Sequence, residues 1–371
     1  MIFLDTRYVS PLLTNTLTTV RETIFDVTHG CFLSAASPFQ EWNICTGIMM
    51  NAEMGMEALN EFLRDHHVTK MANIFKNKMA FRKLMASKYP NFFYRSCTLS
   101  ELQENTGKDL PFPIILKPIA GYCSKGVYKF NDSRSLAQFI HTYQTIDAAE
   151  NTQFLIEEYI VGKEFAVDFY FDKEGEPVLL NIFERKCKDS NEMGGRICYT
   201  SKKVLSTYIE PFYHYLKEFG ESFHLKMMPL HIELRVNTRQ EIIPIEVHPL
   251  RFADEGTTEL GYFAYGVNPY EYYFSQRKPA WNNIIAAMDD SIYSFARAEM
   301  DQGLAPEQIK KIDHYSLKEE FKEILDYRIL PLDGRATFAV IFFKSENEAE
   351  HDHIVNLDFM DFITCKQYQL Q

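Results

Sequence analysis

The chain has 371 residues, 46% of them hydrophobic and 24% charged, which suits a globular protein of two or three packed lobes. A formal net charge of −12 with no Lys/Arg-rich block leaves no basic surplus for a phosphate backbone, so nucleic acid is not an expected partner. The opening MIFLDTRYVS lacks the basic head and apolar run of a signal peptide, no apolar stretch is long enough to cross a bilayer, and the seven cysteines form no C-x-x-C pair, so the reading is a cytoplasmic protein with reduced thiols and no membrane partner.

In chain order, Ile2 to Leu4 reads as a strand, and Met56, Leu59, Phe62 and Leu63 recur at helical spacing, which predicts a small α/β lobe over residues 1–72. From Asn73 to Tyr89 the apolar residues again keep helical spacing, with Lys78 and Arg82 four apart on one face, until Pro90 stops the run. FPIILKP and GVYKF read as two strands around a loop, and SRSLAQFIHTYQ as a helix. QFLIEEYI, EFAVDFYFD and EPVLLNIFERK are three more strands, STYIEPFYHYLKEFGESF is a helix, and PLHIELRV with EIIPIEVHP makes a late hairpin. These elements define a body over residues 73–275. Residues 276–371 read as two helical stretches leading into the strand ATFAVIFFKS, a third small unit.

Chemistry concentrates in four places. Lys78 on its helix and Lys117 at a strand end offer two ammonium groups that suit a triphosphate, and Gly121, Ser124 and Gly126 in the next loop can bring backbone N–H groups close to phosphate oxygens. In IEEYIVGKE, Glu157 and Glu164 flank a tight Val-Gly-Lys turn, where backbone groups can meet an adenine edge and a carboxylate can accept from ribose hydroxyls. The late hairpin puts Glu246 and His248 on one face with Glu233 opposite, and carboxylates in strands this apolar need a partner, for which magnesium is the natural ion. Arg185, Lys186 and Arg196 lie in or beside the polar segment RKCKDSNEMGGRICYTSKK, which suits a mobile loop with groups to hold a substrate carboxylate. No H-E-x-x-H or G-x-S-x-G motif is present, so zinc and serine hydrolysis fall away.

The order and spacing of these motifs resemble the ATP-grasp superfamily, in its carboxylate–amine ligase-like branch, from about Lys78 to Tyr273. NKMAFRKLM looks like the family's Asp-Lys-x-x-x-Arg helix with Asn77 in the Asp place. ILKPIAGYCSKGV resembles its second lysine and glycine-rich loop, IEEYIVGKE its hinge, and HIEL with IEVHP its two magnesium motifs. The resemblance implies an α/β fold of the α+β kind, an ATP-grasp body with a short N-terminal α/β lobe and a C-terminal appendage. It implies ATP bound by Lys78, Lys117, Gly121, Ser124 and Gly126, adenine met by Glu157 and the backbone of Glu158 and Ile160, and ribose met by Glu164. It further implies magnesium, with manganese an alternative, held by Glu233, Glu246 and His248, with Lys117 and Arg251 acting on the transferred phosphate. His248 stands where the family has asparagine, and Arg251 is displaced by one residue, Leu250, from the usual arginine position. The implied activity is a ligase joining a small carboxylate to an amine through an acyl phosphate. Two alternatives stay open: a non-catalytic nucleotide-binding regulator on the same fold, and a ligase with a thiol or peptide end as acceptor.

Overall fold

The computed structural model describes residues 1–33, 47–105, 109–119, 126–143, 153–188, 197–301, 303–332 and 336–366. Ile2–Leu4 is a strand whose three side chains are all buried, and it pairs in parallel with Ile24–Asp26 on one side and Met49–Met50 on the other. A continuous apolar run of this kind belongs to a strand covered on both faces. The helices Pro11–Leu17 and Gly55–Leu63 complete this first lobe.

The helical run expected over Asn73 to Tyr89 is two helices, His67–Lys76 and Lys78–Met85. Asn77 breaks it. Its backbone is extended (φ −86°, ψ 105°) and its side-chain oxygen accepts from the Ala80 N–H at 2.9 Å, which makes it the N-cap of the second helix. Apolar periodicity cannot see such a cap, because the buried stripe runs on past it. The break puts Lys78 in the first turn of a short helix.

A four-stranded antiparallel sheet follows, in the order Tyr94–Cys97, Phe154–Glu158, Ile114–Pro118, Tyr128–Phe130. Its own core gathers Leu102, Ile114, Leu116, Phe130, Ile140 and Phe154, with Ser133–Tyr143 among the helices covering it.

The largest element is an eight-stranded antiparallel sheet. Its order is Ile242–Pro249, Met228–Asn237, Gly162–Phe171, Pro177–Lys186, Ile197–Ser201, Ile292–Glu299, Thr337–Ser345, Glu323–Ile329. One face is apolar: Phe165, Val167, Phe169, Ile232 and Leu234 are sealed under Leu205, Phe212 and Phe219 of the long helix Lys202–Phe223. Gly162 opens its strand opposite Asn237, where an added Cβ would lie 2.1 Å from the Val236 carbonyl oxygen, so only glycine lets the two backbones come this close.

Residues 276–371 contribute three strands to this same sheet. Two helices, Trp281–Ala287 and His314–Glu319, are present as expected, but each is followed by a strand that the sequence reading left out, Ile292–Glu299 and Glu323–Ile329. The first pairs along Ile197–Ser201 and carries the sheet onward. No described helix is long and apolar enough to cross a membrane.

Candidate active site

Side chains alternate across a strand, so register decides which residues share the sheet's polar face. Three cross-strand rows result. His248, His231, Asp168 and Asn181 form the first, Glu246, Glu233, Ala166 and Phe183 the second, and Arg235, Glu164, Arg185, Cys198 and Phe295 the third. Ala166 is the small member of the middle row, and the sheet floor opens there into a cavity of about 610 Å³. Asp5, Glu53 and Glu57 of the first lobe line the opposite wall.

Asp168, fully buried, anchors the first row. One carboxylate oxygen accepts from His231 Nδ1 at 2.8 Å and the Ala253 N–H at 2.9 Å, and the other from Asn181 Nδ2 at 2.9 Å and Thr258 Oγ1 at 2.7 Å. Burial opposes its charge, but His231 and the other donors outweigh burial and lower its pKa. The aspartate thus fixes the His231 ring and the start of the 253–258 segment together. The sequence reading missed it, although a carboxylate inside EFAVDFYFD needs partners for the same reason that Glu246 does.

Glu233, Glu246 and His248 come together as a group, each able to offer one ligand atom within 4.8 Å of the others. Glu233 is paired with Arg185 at 2.6 Å, and Glu246 with Lys78 at 3.1 Å. Burial would raise the Glu233 pKa, but Arg185, His248 and His231 hold it down to about 2. Burial opposes Glu246 likewise, and His248 and Lys78 lower its pKa. Both carboxylates are therefore charged oxygen donors, the kind that a hard divalent cation takes. His248 differs. Its Nδ1 lies 2.9 Å from Arg251 NH2, and a guanidinium has only donors, so Nδ1 accepts. The neutral ring then carries its proton on Nε2, which lies 3.9 Å from Glu233 Oε1. Burial first, then Arg251, lowers the His248 pKa and keeps it neutral.

Arg251 reaches this position through Leu250, whose left-handed φ of +60° turns the chain after the strand ends at Pro249. Its guanidinium also donates to the Phe252 carbonyl at 3.2 Å and lies 3.4 Å from both Glu53 and Asp254.

The lysines flank the acidic group from the other side. Lys117 pairs with Glu157 at 2.6 Å, and Arg82 reaches the same carboxylate, as well as the Pro244 and Ile245 carbonyls at 2.6 and 3.2 Å. Lys78 and Arg82, sharing one helix face, thereby tie that helix to the late hairpin and to the second sheet. Burial opposes the Glu157 charge, and Arg82 and Lys117 lower its pKa. Gly126 holds a left-handed φ of +75° beside Pro118. Gly121, Ser124 and Arg196 lie outside the described residues. At the hinge, the Glu158 N–H donates to the Phe93 carbonyl, and the Ile160 carbonyl accepts from Arg235. The Glu164 carboxylate is capped by Arg185 at 3.1 Å and Arg235 at 2.5 Å. Lys186 pairs with Asp352 near the C-terminus, away from the acidic group.

Lysines thus stand on one side of an acidic group, with a roomy cavity beyond it. Residues 110–259 match the family model of the ATP-grasp domain. No curated protein sequence matches significantly. The fold is similar to a carboxyaminoimidazole ribonucleotide synthase from Aspergillus clavatus complexed with ATP, at 15% identity and TM-score 0.63, with 98% of each chain covered. It is also similar to an L-amino acid ligase from Bacillus licheniformis, at 16% identity and TM-score 0.61, covering 87% of this chain and 82% of that one. A third similar structure is the biotin carboxylase domain of a Hydrogenobacter thermophilus 2-oxoglutarate carboxylase with MgADP and bicarbonate, at 15% identity and TM-score 0.53, covering 86% and 75%. At these identities the likeness speaks for the fold.

Proposed function

We propose that the protein is an ATP- and magnesium-dependent ligase that activates a small carboxylate as an acyl phosphate and transfers the acyl group to an amine. The observation that carries this reading is convergence: Lys78 and Lys117, from separate segments, flank a carboxylate pair on the rim of a 610 Å³ cavity large enough for a small substrate. Lys78 and Lys117 hold phosphate oxygens, with Gly126 of the glycine-containing loop beside Pro118. Glu157 keeps Lys117 in place, and the hinge around Glu158, Ile160 and Glu164 receives the nucleoside.

Glu233 and Glu246 fit magnesium by their chemistry, two charged oxygen donors beside a neutral ring. An ion held by Glu233 and Glu246 would supply positive charge to neutralise the phosphate oxygens. His248, with Arg251 on its Nδ1, directs its Nε2–H at the carboxylates and so orients them. Arg251 is oriented by the same bond to face the transferred phosphate. The protein's work is positioning and charge neutralisation, while the walls of the cavity keep water from the acyl phosphate.

The test is a screen of carboxylate and amine pairs for amine-dependent phosphate release, with mass spectrometry of the product. The expected result is release that requires both partners and yields an amide. MgATP binding without ADP release across broad pools would favour a regulator. An acyl phosphate trapped by hydroxylamine with no amine product would move the acceptor to another class.

A further inference from the structure

We infer that Glu259 and Arg328 are positioning residues: the buried pair they form ties the segment 251–259 to the first lobe and to the last strand of the large sheet, and so sets where Arg251 stands. This rests on the ligase reading above, in which Arg251 faces the transferred phosphate, and it gives the C-terminal segment a part in that reaction.

The segment needs holding. Leu250, Glu255 and Gly256 all have left-handed backbone, with φ of +60°, +52° and +83°. Leu250 and Glu255 carry a Cβ, and such conformations persist only where the surroundings enforce them. Asp168 fixes the middle of the segment through the Ala253 N–H and the Thr258 hydroxyl. Glu259, a carboxylate only 1% exposed, fixes its far end. Its Oε1 accepts at 2.9 Å from the Leu12 N–H, in the first-lobe helix Pro11–Leu17, and its Oε2 accepts from Arg328 NH2. One buried side chain thus joins the first lobe, the body and the C-terminal segment.

Arg328 is itself held in place. Its Nε donates to Asp326 at 2.7 Å on its own strand, Glu323–Ile329, and its guanidinium lies 4.8 Å from the centroid of the Phe342 ring. The third nitrogen, NH1, is buried and makes no hydrogen bond among the described residues, and neither does Tyr8 Oη. Both press on Gly256, where an added Cβ would lie 2.9 Å from NH1 and 3.3 Å from Tyr8 Oη. The guanidinium and the phenol therefore form the surface against which the left-handed turn is made, and only glycine fits there. Among the described residues Arg251 and Asp254 line the cavity and Arg328 does not, so the influence of Arg328 on the site passes through this segment.

The experiment uses the full-length protein and compares Arg328→Met/Glu259→Gln, Arg328→Lys, Arg251→Met and the first and third combined. The paired variant removes both charges and leaves no lone buried ion. Hydrogen exchange read by mass spectrometry follows the amides of 251–259, with the strand Met228–Asn237 as internal reference. Calorimetry with MgADP and with magnesium AMP-PNP gives the preference for the third phosphate. In the paired variant, exchange over 251–259 should quicken by about tenfold while the reference strand is unchanged. The triphosphate preference should fall by about tenfold in Arg251→Met and by about as much in the paired variant, with no further loss when the two are combined. Arg328→Lys, which keeps the charge and loses the fork, should lie between, and it decides the question alone if the paired variant does not fold. The inference is overturned if exchange over 251–259 is unchanged, if the preference survives in the paired variant, or if the losses add in the combined protein, since an additive loss does not pass through Arg251. Wild-type protein that binds neither nucleotide sinks the nucleotide reading, and the exchange result then decides the junction by itself. A preference lost in Arg251→Met and kept in the paired variant sinks this proposal alone.

Discussion

The two faces of the eight-stranded sheet are one residue apart in sequence and opposite in chemistry. Phe165, Val167 and Phe169 point into an apolar core under the long helix, while Glu164, Ala166 and Asp168, alternating with them, carry charge, open space and a buried hydrogen-bond hub. The contrast teaches that this sheet keeps stability and chemistry on separate sides of one backbone. Every polar-face charge described above is paired, and every apolar-face ring named is sealed.

The largest effects should break the comparison most directly. Phe169→Ala removes a fully buried ring and should cost about 3–5 kcal/mol of folding free energy in denaturant titration. Glu246→Gln, on the other face, should lower ATP turnover by about two to three orders of magnitude and move the melting temperature by only a few degrees. If Phe169→Ala kept its stability, or Glu246→Gln its turnover, the division of labour between the faces would be wrong.

Much of this was legible in the sequence. Lys78, Lys117, Glu157, Glu233, Glu246 and His248 were picked from local patterns, and the structure brings them into one neighbourhood. What the sequence withheld is long-range. Glu53 meets His248 and Arg251 across nearly two hundred residues, and Arg297 joins the cavity only because its strand extends the sheet past Ile197–Ser201. No spacing rule connects such positions. Asp168 was locally visible and overlooked, because its strand reads first as a hydrophobic run.

A middle-sized effect sharpens the comparison at the C-terminal end of the sheet, where a titratable group sits among apolar partners. His351 is buried against Tyr199 and Phe343, its Nε2 has no hydrogen-bond partner among the described residues, and burial, reinforced by Lys186, lowers its pKa to about 4 from 6.5. The unfolded chain binds a proton here below pH 6.5 while the folded chain resists until about 4, so the stabilisation is complete above the higher value and drains away as pH falls through that window. Between pH 7 and pH 5 the loss should be about 2 kcal/mol by the linkage relation. Denaturant titrations should show that decline in the wild type and a flatter one in His351→Leu. Equal slopes would mean the imidazole is solvated or paired.

The smallest effect concerns the point where apolar periodicity gave one helix and the structure gives two. Asn77 caps the helix Lys78–Met85 through its bond to the Ala80 N–H, and that cap fixes where Lys78 begins its turn. A lysine in the first turn faces the positive end of the helix dipole, an unfavourable placement that the ion pair with Glu246 offsets. Asn77→Ala should cost about 1 kcal/mol of stability, the usual loss for an N-cap. It should also weaken MgATP binding, because Lys78 loses its fixed starting point. Asn77→Asp keeps the capping oxygen and adds a negative charge where the dipole favours one, so it should match or exceed the wild type by a few tenths of a kcal/mol. The two variants together separate capping from chemistry. If Asn77→Ala loses stability but holds MgATP as the wild type does, the helix start is a structural detail and Lys78 is positioned by Glu246 alone.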